Sequence, residues 1–273
     1  MSVNPQTAEA ILQNNFTLTS SRRLLYIRDL LYELVVRDFK LRYKRSILGV
    51  GWSLLNPLAQ LLVYQLVFTT IIPNEIDNFV AFLFIGILSW DWFQASLMAA
   101  TNSIVGNRDL IKRPGFPSPV LPLIAVTSNL VNFIISLPIL AAVLIFQGTP
   151  FTSVLLLFPL VIVLQFCFTL GLSYFLATFH VTFRDTEYLL GILLKLVFFM
   201  TGIFYDPAPL IARFSILNLN PMVYILGAYR SIVVSGEAPA LQPILILSGA
   251  SIVLLGLGYA TFKQASYRYV EEL

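Results

Sequence analysis

Apolar and polar positions along this chain fall into two patterns, an amphipathic stretch and a series of long apolar runs. From Arg22 to Arg45 the pattern is amphipathic: Leu30, Leu31, Leu34, Val35 and Phe39 recur at helical spacing, with Asp29, Glu33, Arg37, Lys40 and Lys44 opposite. Such a basic helix, placed directly before an apolar run, lies in the headgroup plane or serves as a solvated anchor. Six apolar runs follow: about Trp52 to Ile72, Phe79 to Val105, Val120 to Phe146, Ser153 to Phe179, Tyr188 to Tyr205 and Ile244 to Phe262. At about 1.5 Å per residue the first spans roughly 31 Å, the thickness of a hydrocarbon core. Between the last two runs, Met222 to Val234 is apolar but too short to cross. Asn220 and Pro221 read as its cap and first helical residue, and Gly236 as its stop. The spacing therefore predicts two short helices within 206–243, about Pro209 to Leu217 and Pro221 to Ser235, dipping into the outer leaflet.

The predicted fold is an all-α polytopic membrane protein: an extension over 1–21, an interfacial helix over 22–46, and six transmembrane helices within 47–273. With 58% hydrophobic and 11% charged residues, a soluble domain is excluded. All but two of the 17 Lys and Arg residues, Arg213 and Arg230, fall on one side of this topology, counting Lys195 as able to snorkel there. That side is cytoplasmic, and both termini lie there. The first fifteen residues lack the charged and apolar regions of a cleavable signal. The small, local positive charge does not suggest nucleic acid, and membrane lipids account for it.

Polar groups inside the runs are the candidate chemistry. Ser53, Asn56, Pro57, Gln60, Tyr64 and Phe68 fall on one stripe of the first run, with Leu55, Leu58, Leu62 and Leu66 opposite. Amides are costly in lipid, so this stripe faces either neighbouring helices or a water-filled path. Asp91 lies between Trp90 and Trp92, roughly 18 Å along the second run, and shares a face with Gln94, Met98 and Asn102. An intramembrane carboxylate marks a functional site, a structural ion pair or a protonated acid in the bundle. Two short charged loops interrupt the basic side. In the first, Asn107 to Arg113 reads as a helix halted by the prolines at 114, 117 and 119. The second contains Arg184, Asp185 and Glu187, and nearby His180 suits an interfacial hydrogen bond better than a proton relay. The first loop is a partner's docking surface or a plain polar connection; the second is a charged turn on the same side. One His and one Cys supply no metal cluster, and no GxxxxGK[ST] loop cradles a nucleotide. Any pumping energy comes from a partner or an ion gradient.

KRSILGVGWSLLNPL, NRDLIKRPGFPSPVLP, FRDTEYLLG and NPMVYILGAYR, in this order from about Arg22 to Tyr269, resemble the polysaccharide and polyol-phosphate export permeases of ABC transporters. The resemblance implies a subunit that moves a lipid-linked polymer such as O-antigen, capsule or teichoic acid across the bacterial inner membrane. It implies pairing with a second copy and with two cytosolic ATPases, which would bind the ATP and magnesium; the chain itself would hold no cofactor. Asn107, Arg108, Asp109, Leu110, Ile111, Lys112 and Arg113 would form the main coupling helix. Thr182, Phe183, Arg184, Asp185 and Glu187 would make the second contact. Arg37, Lys40, Arg42, Lys44 and Arg45 would meet the lipid pyrophosphate. Asn56, Gln60, Tyr64 and Phe68 would line the path, with Trp90, Asp91, Trp92, Phe198, Phe199 and Tyr205. Pro209, Asn220, Pro221, Tyr224 and Arg230 would belong to an outer gate. An exporter of hydrophobic drugs or lipids and a membrane-embedded glycan polymerase or transferase are the alternatives.

Overall fold

A computed structural model of the chain describes residues 20–44, 46, 48–49, 51–68, 76, 78–149 and 151–272. The described residues form helices joined by turns: α1 (Ser20–Tyr43), α2 (Gly51–Leu66), α3 (Phe79–Thr101), α4 (Val120–Phe146), α5 (Phe158–Thr182), α6 (Thr186–Met200), α7 (Pro221–Arg230) and α8 (Leu241–Ala265). Most of the 1–21 extension, Arg45 and most of the turn after α2 lie outside the described residues.

Among the described residues four helical segments are long and apolar enough to cross a membrane: α3, α4, α8 and Ser153–Thr182, in which a 3-10 turn leads into α5. The chain is therefore a multi-pass membrane protein. The helices α2 and α6, of 16 and 15 residues, correspond to the first and fifth sequence runs and are shorter than a full crossing.

The central element is α3, which packs against α2, α4, α5, α6 and α7. Phe84, Ile85, Ile87 and Trp90 on it are almost fully buried although they point in different directions. Its neighbours bury one side and turn the other outward. On α2 the leucines expected to face lipid do so in part: Leu55, Leu62 and Leu66 are exposed, Leu58 is half-buried, and Pro57 and Leu61 are buried. Pro57 and Pro138 sit within α2 and α4, and the Ser53 carbonyl that Pro57 leaves without its helical donor accepts from Ser136 of α4 at 3.4 Å.

The α5–α8 pair is held by close backbone approach. A Cβ on Gly171 would lie 2.8 Å from the Leu255 amide nitrogen and 2.9 Å from the Leu254 carbonyl carbon, and a Cβ on Gly258 would strike the Gly171 carbonyl. Small residues permit such packing in a bilayer. Gly171→Leu is expected to separate the helices and destabilise the chain by about 1–3 kcal/mol, read as a lower melting temperature in detergent.

The short helix of the first basic loop is smaller than the spacing implies. A 3-10 turn, Val105–Asn107, leads into one α turn, Arg108–Ile111, which ends before Pro114 because proline cannot continue it. At the far end, Ala208–Arg213 and the 3-10 turn Ser215–Leu219 replace a single helix. The next helix matches its sequence signals. Asn220 caps α7 by accepting from the Met222 amide at 3.0 Å, and a π turn, Ser231–Ser235, continues it to Gly236, whose φ of 69° ends it.

Candidate functional site

A cleft of about 570 Å³ opens between α2, α3 and α4, with Arg42 of α1 at its basic-loop end. Each helix contributes amides or a carboxylate: Asn56 and Gln60 from α2, Asp91 and Gln94 from α3, Asn129 and Asn132 from α4. Gln60 Nε2 donates to Asp91 Oδ2 at 3.2 Å, closing α2 onto α3 through the polar stripe. Among the described residues no Lys, Arg or His lies within 4 Å of Asp91, so it is not half of an ion pair within them. Trp52 is 53% exposed and Trp92 is buried, and both line the cleft. The Trp92 indole donates to the Val126 carbonyl at 3.3 Å, which fixes its ring beside Phe133.

Arg42 joins this cleft to a second recess of about 450 Å³. Its guanidinium donates to Asn129 Oδ1 at 3.0 Å and pairs with Asp38 at 3.4 Å. The second recess is lined by Arg37, Asp38, Asn102, Asn107 and Glu187 among others. It therefore brings α1, the α3 polar face and both basic-side loops together. Lys40 and Lys44 are exposed and line neither space; Arg45 lies outside the described residues.

The two loops present their charges outward. Arg108, Asp109, Lys112 and Arg113 are exposed and Leu110 is half-buried, while Ile111 is buried beneath them beside Val120 and Leu121. Asn107 donates to the Ser103 carbonyl at 2.9 Å and anchors the turn. In the second loop Phe183, Arg184 and Asp185 are exposed. Thr182 donates to Glu272 at 3.1 Å, tying that loop to the C-terminal turn Tyr269–Glu272. His180 Nε2 lies 3.9 Å from Glu187, too far for the expected hydrogen bond, and its Nδ1 has no partner among the described residues.

The aromatic residues assigned to the path divide. Trp92 lines the cleft; Tyr64, Phe68, Trp90, Phe198 and Phe199 gather instead around Phe204. Phe68 stacks on Phe204 at 5.0 Å, Tyr64 meets its edge at 4.7 Å, and Trp90 packs on Phe198 at 5.6 Å. Tyr205 donates to the Phe199 carbonyl at 2.7 Å and closes the turn after α6.

Arg230 ends α7 and is 7% exposed. It donates to the Ile203 carbonyl at 3.0 Å and the Phe82 carbonyl at 3.4 Å, and its guanidinium lies 3.4 Å from the centre of the Phe82 ring. Gly86, one turn along α3, makes room for it: a Cβ there would lie 3.0 Å from Nη2. A pocket of about 510 Å³ lined by Arg230, Asp206 and Asn78 opens beside it. Pro209 is exposed and Pro221 half-buried, Tyr224 donates to Asn218 at 3.1 Å, and Asn220 donates to Thr201 at 3.0 Å.

Sequence reasoning missed Trp52, Asn129, Asn132 and Phe204. Asn129, Asn132 and Ser136 stand at i, i+3 and i+7, a polar helical face that the apolar bulk of the third run obscured.

The fold and the cleft define a multi-pass helical membrane protein with a polar, amide-lined recess between its helices. Residues 29–234 match the family described as ABC-2 type transporter, and the chain belongs to that family. It is 38% identical over 255 residues to an O-antigen export system permease protein of Myxococcus xanthus, covering 92% of this chain and 98% of that one. A permease of the same description from Klebsiella pneumoniae is 32% identical over 250 residues, covering 91% and 96%. A polysialic acid transport protein of Escherichia coli is 24% identical over 238 residues, covering 84% and 91%. Membership makes this chain the transport subunit, not an enzyme.

Proposed function

We propose that this chain is the membrane subunit of an exporter that carries a lipid-linked polysaccharide across the bacterial inner membrane. A second copy and two cytosolic ATPases complete the machine. In this reading α2 to α6 and α8 make six crossings, both termini face the cytoplasm, and the helices between Ala208 and Ser235 form an outer gate. The exposed turns at Arg108–Ile111 and 182–187 receive the ATPases, and Arg37 and Arg42 receive the lipid pyrophosphate.

The observation that carries the reading is the cleft, a run of amides from three helices that opens at an arginine. Amides supply donors and acceptors for sugar hydroxyls, and Trp52 offers a face for a pyranose ring. A hydrophobic drug would want an apolar lining. The relatives named for O-antigen export point to the same substrate class.

The test is ATP hydrolysis by the reconstituted complex with and without lipid-linked glycan. Stimulation by glycan supports the proposal; stimulation by hydrophobic cations alone overturns it. Asn56→Leu with Gln60→Leu is expected to lower glycan-stimulated hydrolysis at least about tenfold while the complex still assembles, because each leucine removes an amide donor and acceptor from the lining. Unchanged stimulation would make these amides packing groups.

A further inference from the structure

Asp91 is an intramembrane carboxyl group whose presence polysaccharide export alone does not explain. It lines the cleft with no cation within 4 Å among the described residues, and one of its oxygens accepts from Gln60. The other charged lining residue is Arg42, at the mouth, and its charge is already shared with Asp38 and Asn129. A sugar that passes the mouth therefore meets a carboxylate among amides. A carboxylate accepts hydrogen bonds from neighbouring hydroxyls, and from ammonium groups more strongly. It repels a second carboxylate, and like charges set close together discriminate between partners.

We propose that Asp91, ionised in the working cleft, is a specificity-determining residue that admits neutral or amino-sugar glycans and disfavours uronic-acid or sialic-acid glycans. The inference rests on the export reading and narrows its substrate class. Two features of the site support it. The Gln60 bond places the Asp91 carboxyl group at the junction of α2 and α3, on the wall of the cleft. The surrounding Asn56, Gln94 and Asn132 are uncharged and offer a sugar acid no compensating cation.

The experiment uses the full chain with its ATPase in lipid nanodiscs. ATP hydrolysis is titrated with two diphosphate-lipid oligosaccharides that differ in one sugar, a hexose in one and the corresponding uronic acid in the other. The neutral glycan is expected to half-saturate at a concentration at least about tenfold lower. Asp91→Asn should shrink that ratio below about threefold, and Asp91→Glu, which keeps the charge, should preserve it. Equal half-saturation in the unmodified complex, or an unchanged ratio in Asp91→Asn, overturns the role of Asp91 and leaves the export reading standing. If neither glycan stimulates an assembled complex, the export reading fails and this inference fails with it.

Discussion

Reversing two charges at the end of the first basic loop, Lys112→Glu with Arg113→Glu, is expected to abolish coupling to the ATPase. Both side chains are exposed and lie just past the Arg108–Ile111 turn. The turn is held from beneath by buried Ile111 and by the Asn107 bond to Ser103, so the substitutions leave its fold intact. Like charges set against a complementary surface cost several kcal/mol. The ATPase should therefore fall away on co-purification, or glycan-stimulated hydrolysis should drop by at least about a hundredfold. The melting temperature of the isolated chain should not move. A complex that assembles and hydrolyses normally would place the docking surface elsewhere.

The second large effect is expected at Arg230. Arg230→Ala removes the group that ties the end of α7 to α3 through Phe82 and to the turn after α6 through Ile203. Two carbonyls lose their donor, an aromatic face loses its cation, and a buried long side chain leaves a void. Together these amount to about 2–5 kcal/mol. The chain should melt at lower temperature, and protease should cut between residues 206 and 236 before it cuts elsewhere. Arg230→Lys should recover only part of the loss, because an ammonium cannot reproduce the guanidinium fork and its stacking on a ring. Equal melting of Arg230→Ala and the unmodified chain would mean that this guanidinium holds nothing together.

Local rules made some of this legible in the sequence. The bounds of α4, the Asn220 cap, the Gly236 stop and the amphipathic run that became α1 each follow from a few neighbouring residues. The α2 stripe was legible too: its polar members turn toward protein and the cleft because amides avoid lipid, and three of its four leucines are exposed. Features that depend on distant partners were not. Nothing around Gly171 says that Gly258 will meet it, since a lone glycine in an apolar run reads the same whether it packs or not. Phe204 sits in a turn, and only the approach of α2 to the end of α6 makes it the hub of an aromatic cluster. That cluster is also why Tyr64 and Phe68, correctly placed on the stripe, do not reach the cleft. The stripe is longer than the cleft, and its last turns meet rings instead of amides.

Arg42 touches both hollows at once, and α1 rests along α4. Under the proposed function, an ATPase pushing at the loop containing Asn107 acts on the same recess that Arg42 joins to the cleft. On that reading, loading and power would be timed by one piece of mechanics rather than by a signal sent across the bilayer.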